Sequence, residues 1–190
     1  RNVLRLYYGA PSMREAASFV RVILIYTMVL EVLGALALFG GFIAAGVPVG
    51  RSAWWGIFHA ISAFNVSGFN VTGLDIVPFQ DDPAVLVPMS ILVLAGSVGS
   101  VPIIFALLRL DLRKASLDAK IVLSGTACLL AVSAVFIGVA EWRNAETLAS
   151  VDLVHRPLLT FFQSVTWTSG FSAVDSAMLG DETKLFQIVL

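Results

Sequence analysis

Three long apolar runs restrict the folds open to this sequence more than any other feature. They cover residues 18–46, 83–110 and 119–140. At a helical rise of about 1.5 Å per residue, each run can cross a hydrocarbon layer about 30 Å thick. Since 58% of the residues are hydrophobic and 13% are charged, an ordinary soluble domain, in which about a quarter of the residues are charged, is excluded. The sequence predicts an all-α integral membrane protein.

Several functional classes lack support in the sequence. A net charge of −1 argues against nucleic acid as a partner, because phosphate binding needs a surplus of Lys and Arg. His59 and His155 have no companion ligands at metal-binding spacing, and the single cysteine, Cys128, lies inside an apolar run. We find neither a Ser-His-Asp arrangement nor a phosphate-binding glycine loop. The sequence therefore predicts a protein that is not an enzyme and has no cofactor.

Two shorter segments between the apolar runs resemble each other. Residues 58–69 read FHAISAFNVSGF and residues 161–171 read FFQSVTWTSGF. Aligning Gly68 with Gly170 also aligns a Ser-Gly-Phe triplet in each, which gives an internal repeat of about a hundred residues. We predict a short helix that begins after Ser52 as its N-cap and ends near Asn65. A second is predicted from Pro157 to Thr166, and each is followed by an extended return strand.

Each predicted helix and turn suits a pore lining. Non-helical backbone persists at membrane depth where it is buried in protein or lines water. Carbonyl oxygens can replace the water around an alkali cation, and glycine allows the backbone to turn those oxygens to one side. We expect Phe69 and Phe171 to pack behind the turns and hold their width. The alternative is that each Ser-Gly-Phe is a plain loop turn.

The apolar runs also contain residues that need an explanation. Glu31 lies near the middle of the first run, where an isolated carboxylate is costly, so it should face protein or water. We expect it to form a hydrogen bond between helices, and direct contact with an ion is the alternative. The second run contains Gly96, Gly99 and Pro102, which indicate close helix packing and a kink at the proline.

The positions of the basic residues predict the topology. Eight Arg and Lys residues fall on one predicted side of the membrane and four on the other, which places the N-terminus in the cytoplasm and both short helices on the outside. The predicted outer loops are acidic and should concentrate cations. The chain lacks an initiator Met and ends inside an apolar run, so we expect it to be part of a longer protein.

The predicted organisation has two units of the order span, short helix, loop, span. A cytoplasmic lead-in and a cytoplasmic linker precede them, and the second unit is truncated at the start of its second span. The boundaries are a lead-in at 1–17, a first unit at 18–110 with its loop near 65–70, a linker at 111–118, and a second unit at 119–190 with its loop near 167–172.

The two short segments resemble the Trk/Ktr/HKT superfamily of potassium and sodium translocating subunits. Residues 58–69 are similar to that family's second pore loop, and residues 161–175, FFQSVTWTSGFSAVD, to its third. The resemblance implies a K⁺-channel-like fold of four span, pore helix, filter loop and span units around a pseudo-fourfold pore. This chain would supply the second unit and most of the third. The implied filter positions are Asn65, Val66, Ser67, Gly68, Phe69, Thr168, Ser169, Gly170 and Phe171.

The resemblance also implies the function and the partners. K⁺ would move inward past backbone carbonyls around Gly68 and Gly170, in a multi-pass protein of the plasma (cell inner) membrane. A homodimer and a cytoplasmic nucleotide-binding regulatory subunit are implied with it. The alternatives are a Na⁺-selective or Na⁺-coupled member and a non-conducting scaffold or sensor. Two departures bear on this choice, because Val66 replaces a usual asparagine and Trp167 a usual arginine.

Overall fold

The computed structural model describes residues 13–99 and 117–189, and α-helices account for most of them. Apart from an isolated bridge between Leu74 and Ile76, these residues form no β-strand, in agreement with the predicted all-α class and against the predicted return strands. Short 3-10 turns lie in the loops. The helices are α1 (Met13–Ala44), α2 (Val49–Phe64), α3 (Pro83–Ser97), α4 (Leu117–Glu141), α5 (Arg156–Thr166) and α6 (Asp181–Val189).

Two of these helices contain segments long and apolar enough to cross a membrane. The segments are Val20–Ala44 and Leu117–Glu141, of 25 residues each, and they correspond to the first and third predicted runs. Many large apolar side chains on the outer faces of α1 and α4 are exposed, Leu36 and Val139 among them. Such faces suit contact with lipid or with further helices.

The second predicted run is not one continuous helix. Helix α3 ends at Ser97, and Gly99 has a φ of +80°, a conformation outside the right-handed helix. The sequence predicts a run over 83–110 with a kink at Pro102, and the helix is instead interrupted earlier, after Ser97. The physical reason is the small-residue sequence GSVGS at 96–100, whose glycines are poor helix formers. The predicted kink at Pro102 lies outside the described residues.

The two short helices have the predicted ends, with one correction. Helix α2 begins at Val49 with Pro48 as its N-cap residue. The predicted cap, Ser52, lies inside the first turn, where its hydroxyl donates to the Val47 carbonyl at 2.9 Å. The proline supplies a φ of −57° that suits a helix entry. Helix α5 has Pro157 in its first turn and ends at Thr166, as the sequence predicts.

Each of the two short helices packs against two neighbouring helices, and small residues allow α2 to approach its neighbours closely. Helix α2 contacts α1 and α3, whereas α5 contacts α3 and α4. A Cβ on Gly56 of α2 would lie 2.8 Å from the Ala35 carbonyl of α1. A Cβ on Gly96 of α3 would lie 1.8 Å from the carbonyl of Phe64, the last residue of α2. These glycines let α2 lie against both neighbours at backbone distance.

Aromatic rings fill the core beside α2. The ring of Phe42 on α1 is fully buried and lies 5.5 Å from the Trp55 ring, 5.6 Å from the His59 ring and 5.1 Å from the Phe79 ring. Full burial of an aromatic or aliphatic side chain of this size contributes about 1.5–3 kcal/mol. This aromatic cluster (Phe42, Trp55, His59, Phe79) fixes the end of α1, the middle of α2 and the loop before α3.

A buried carboxylate fixes the end of α4. Glu141 is 1% exposed and accepts hydrogen bonds from the Asn144 amide and the Thr147 hydroxyl, each at 2.7 Å. Its other oxygen accepts from the Gly180 backbone N–H at 2.9 Å and from the Thr183 hydroxyl. One side chain thus joins the end of α4, the loop that follows it and the start of α6.

Candidate functional site

The loop after α2 is held at two points by Ser62. The Ser67 N–H and hydroxyl both donate to the Ser62 carbonyl, at 3.0 Å and 3.1 Å. The Ser62 hydroxyl in turn donates to the Phe69 carbonyl at 2.7 Å. Gly68 lies between the two residues that form these hydrogen bonds. Its φ is +70°, a left-handed conformation that glycine adopts without a Cβ penalty. We call residues 65–70 the first loop.

The loop after α5 is held by Thr166, the last residue of that helix. The N–H groups of Ser169 and Gly170 each donate to the Thr166 carbonyl at 2.9 Å, and the Ser169 hydroxyl donates to it at the same distance. Gly170 has a φ of +82°. We call residues 167–172 the second loop. It turns sharply at the end of the helix, and like the first loop it has a glycine at the position of positive φ.

Gln163 supports the second loop from inside helix α5, a role that sequence reasoning missed. Its side chain is 2% exposed. Its Oε1 accepts from the Ala173 N–H at 2.9 Å and its Nε2 donates to the Ser172 hydroxyl at 3.1 Å. A glutamine that directly follows two phenylalanines, one turn before the helix end, was the available signal, because a buried amide needs partners.

The two loops meet backbone to backbone. A Cβ built on Gly68 would lie 2.0 Å from the Ser169 carbonyl oxygen, and one built on Gly170 would lie 3.9 Å from the Gly68 Cα. The glycines that the sequence alignment paired are therefore neighbours in space. Glycine is required at position 68 for contact as well as for conformation.

Several carbonyl oxygens in the loops are free of hydrogen bonds. Within the described part of the chain, those of Ser67, Gly68 and Thr168 accept none. Helices α2 and α5 both end at these loops, and the C-terminal end of a helix carries partial negative charge. No group of three potential metal-ligating side chains occurs among the described residues. The chemistry available at the loops is that of backbone oxygens.

The phenylalanines that follow the two glycines have different environments. Phe171 is 2% exposed, and its ring lies 6.2 Å from that of His59 in the aromatic cluster, as expected. Phe69 is 71% exposed, so the prediction that it packs behind its turn is wrong for this chain. The Phe69 carbonyl accepts a hydrogen bond from the Ser62 hydroxyl, and most of the surface of the residue is left uncovered by the rest of the described chain.

Glu31 forms a hydrogen bond, as predicted, and its partner is a residue of the first loop. Its Oε1 accepts from the Asn65 side-chain amide at 3.1 Å, and the same amide donates to the Ile61 carbonyl at 2.9 Å. The carboxylate therefore joins α1 to the residue at which α2 ends, which satisfies the need of a carboxylate in an apolar helix for a polar partner.

Trp167 packs against helix α6. Its ring lies 5.4 Å from that of Phe186 on α6, which stacks on Phe136 of α4 at 4.0 Å. The indole N–H is buried and has no hydrogen-bond partner within residues 13–99 and 117–189. The family resemblance implies an arginine at position 167. The tryptophan found there instead joins the apolar contact between α4 and α6.

Asp75 joins the loop that precedes α3 to the second loop, across 97 positions of sequence. Its Oδ2 accepts from the Ser172 N–H at 2.7 Å, and the Ile76 N–H donates to the Ser172 carbonyl at 3.1 Å. Burial raises the pKa of the Asp75 carboxyl to about 6, against the opposing effect of the backbone N–H groups of Ser172 and Ile76. Sequence reasoning placed Asp75 in a polar loop and found no signal for this contact.

The sequence of the chain matches one known protein family over nearly its whole length. The sequence profile of TrkH, described as a cation transport protein, matches residues 7–190. The chain belongs to the TrkH family. Together with the two membrane-capable helices, TrkH membership makes this chain part of a membrane protein, and the family is one of transport proteins, in agreement with the prediction that it is not an enzyme.

Curated TrkH relatives are named as uptake proteins. Ktr system potassium uptake protein B of Bacillus subtilis (strain 168) is 28% identical over 192 residues, which cover 100% of this chain and 43% of that protein. Potassium/sodium uptake protein NtpJ of Enterococcus hirae is 31% identical over 176 residues, 92% of this chain and 39% of that protein. Ktr system potassium uptake protein B of Vibrio alginolyticus is 31% identical over 140 residues, 72% of this chain. The chain therefore spans 43% or less of the length of these relatives.

Val66 is strained in this TrkH-family loop. Its φ is +53°, which is unfavourable for a β-branched residue. Asparagine tolerates this φ well, and asparagine is the residue that the family resemblance implies at position 66. We expect Val66→Asn to raise the free energy of unfolding by about 1 kcal/mol through relief of this strain. Thermal unfolding of the full-length protein in detergent measures the change. Val154→Asn, at an exposed loop valine without positive φ, is the control, and an equal gain in both variants would contradict the explanation.

Proposed function

We propose that this chain forms two adjoining parts of an alkali-cation uptake pore, and that K⁺ is the cation it accepts. One observation carries the proposal: two glycine loops meet at Gly68 and Gly170, and carbonyl oxygens in them accept no hydrogen bond from the described residues. Such oxygens can replace the hydration shell of a cation. The names of the relatives, which specify potassium or potassium/sodium uptake, support the choice of ion.

The two glycines of the loops, and the helix residues that hold the loops, have distinct proposed roles. Gly68 and Gly170 give the backbone its turn, and Ser62 and Gln163 hold the two loops in place from the preceding helices. The ion-contacting positions are proposed to lie in Asn65, Val66, Ser67, Gly68, Phe69, Thr168, Ser169, Gly170 and Phe171.

A pseudo-fourfold pore is proposed for the whole protein. The order long helix, short helix, loop, helix occurs twice along the described chain, which supports two units at 18–110 and 119–190. The N-terminus is proposed to be cytoplasmic, so an inside-negative potential would drive cations inward with about 2.3 kcal/mol per charge per 100 mV. A homodimer with a cytoplasmic nucleotide-binding subunit is proposed from the family resemblance.

Two other functions have a specific observation in their favour. The name of NtpJ includes sodium, which favours a pore that also accepts Na⁺. The apolar packing of Trp167, at a position that the resemblance implies to be arginine, favours a member that kept the fold and lost conduction.

Rb⁺ uptake tests the proposal. The full-length protein, expressed in cells that lack their own K⁺ uptake, should accumulate labelled Rb⁺, and Gly170→Asp should lower the initial rate by roughly tenfold or more. A carboxylate fixed beside the loop would hold the cation too tightly for conduction. Gly46→Asp is the matched control, because Gly46 also has positive φ and open space around it but lies outside both loops. Uptake by Gly170→Asp at the wild-type rate would refute the pore.

Competition separates the two ions and the non-conducting alternative. We expect Na⁺ at equal concentration to leave Rb⁺ uptake nearly unchanged. Strong competition would favour the Na⁺ alternative. A reconstituted wild-type protein that is folded and conducts neither ion would favour the scaffold.

A further inference from the structure

The second loop is joined to the first unit by a reciprocal contact at Ser172. The Ser172 N–H donates to the Asp75 carboxylate at 2.7 Å, and the Ser172 carbonyl accepts from the Ile76 N–H at 3.1 Å. Ser172 directly follows Phe171, whose ring packs on His59 of α2. Asp75 therefore sits where the position of the second loop relative to the first is set.

Two features of Asp75 distinguish it from an ordinary loop carboxylate. Its backbone has a φ of +52°, and its Oδ1 is buried and has no hydrogen-bond partner in the described part of the chain. A carboxylate oxygen without a partner away from water is unfavourable when charged. Protonation of Oδ1 would remove this cost while Oδ2 still accepts from Ser172, as part of a neutral group and with a weaker hydrogen bond.

We propose that Asp75 is a positioning residue for the cation pathway, and that protonation of its free oxygen loosens the second loop and lowers the apparent affinity for K⁺. This inference rests on the proposed function of the two loops. The ionised form holds Ser172 through a charge-assisted hydrogen bond, which is roughly twice as strong as a neutral one. The neutral form releases part of that restraint and removes a negative charge beside the loops.

The direction of the pH effect follows from the surroundings of the carboxyl group. The cleft beside Asp75 is lined by one other ionisable side chain among the described residues, Asp175, whose carboxylate accepts from the Ala177 N–H. Asp81 and Asp82 lie further along the same loop, and Asp82 caps α3. Because burial raises the pKa of Asp75 to about 6, the carboxylate is ionised above this pH and neutral below it. Affinity for the cation should fall as the pH falls through about 6.

Rb⁺ uptake as a function of pH tests the inference in the full-length protein. We expect the wild-type KM to rise roughly three- to tenfold between pH 7.5 and pH 5, as expected for a weakened charge-assisted contact, with less change in the maximal rate. Asp75→Asn keeps an acceptor for Ser172, tolerates the positive φ and cannot ionise. Its KM should stay at the wild-type low-pH value at every pH. Asp81→Asn, an equal loss of charge at an exposed position, should titrate as wild type does.

Hydrogen exchange provides a readout that does not depend on transport. Asp75→Gly removes the acceptor and suits the φ of +52°. At one fixed pH, the peptide containing Ser172 should exchange at least about tenfold faster in this variant than in Asp81→Asn, since its backbone N–H loses its partner. Unchanged exchange would overturn the coupling even if the protein transports nothing. If uptake is normal and the KM changes with pH equally in wild type and in Asp75→Asn, the proposed role of Asp75 is overturned and the proposed pore is not.

Discussion

Gly68→Ala is expected to lower Rb⁺ uptake by about tenfold or more and to reduce the stability of the folded protein. The added methyl group would lie 2.0 Å from the Ser169 carbonyl oxygen, well inside contact distance, so one loop must move away from the other. The φ of +70° adds a conformational cost of about 1–2 kcal/mol for a residue with a Cβ. Initial uptake rates and thermal unfolding of the full-length protein measure the two effects.

Gly73→Ala is the matched control for this variant. Gly73 has a φ of +87°, and a Cβ at this position would have no neighbour within 4 Å. The two substitutions therefore share the conformational cost and differ in the clash between loops. We expect Gly73→Ala to retain most of its uptake. An equal loss in both would show that backbone strain, and not the contact with Ser169, explains the requirement for glycine at position 68.

Glu141→Ala is expected to destabilise the protein by about 3 kcal/mol, because it leaves several buried hydrogen-bond donors without their acceptor. Its carboxylate accepts four hydrogen bonds. The donors are the Gly180 backbone N–H, the Asn144 amide and the hydroxyls of Thr147 and Thr183. Without it, the Gly180 N–H and the Asn144 amide lose acceptors, and a buried donor without a partner costs about 1–3 kcal/mol. Thermal unfolding in detergent and the yield of monodisperse protein measure the loss.

Glu146→Ala is the control, because Glu146 lies in the loop after α4 and is exposed. We expect it to change stability by less than about 0.5 kcal/mol, as exposed substitutions usually do. If both variants unfolded at the wild-type temperature, the hydrogen bonds of Glu141 would have no net effect on stability.

Much of the local structure was predictable because it depends on local sequence. The apolar length of 119–140 predicted α4 within a few residues. Helix α5 was predicted from Pro157 and from the small polar residues after Thr166, which mark its two ends. The hydrogen bond of Glu31 was predicted from the cost of a carboxylate in an apolar helix, although its partner, Asn65, was not.

Other features depended on neighbours that are distant in sequence. The exposure of Phe69 and the burial of Phe171 could not be distinguished, since both follow Ser-Gly in the same pattern. The end of α3 at Ser97 depends on the balance between a long apolar run and two glycines, which hydropathy alone does not decide. Asp75 was missed because its partner, Ser172, is 97 positions away in the sequence and reaches it through tertiary packing.

By itself, the sequence determined that this chain belongs in a membrane, where the apolar helices α1 and α4 lie, and that Gly68 and Gly170 occupy equivalent turns. These properties follow from apolar length and from the positions of glycine, which act over a few residues. The tertiary structure alone decided that the two turns touch, that Ser169 lies against Gly68, and that Asp75 holds Ser172. Such contacts join residues about a hundred positions apart, and they exist because α3 and α5 pack together and bring the two loops to the same place.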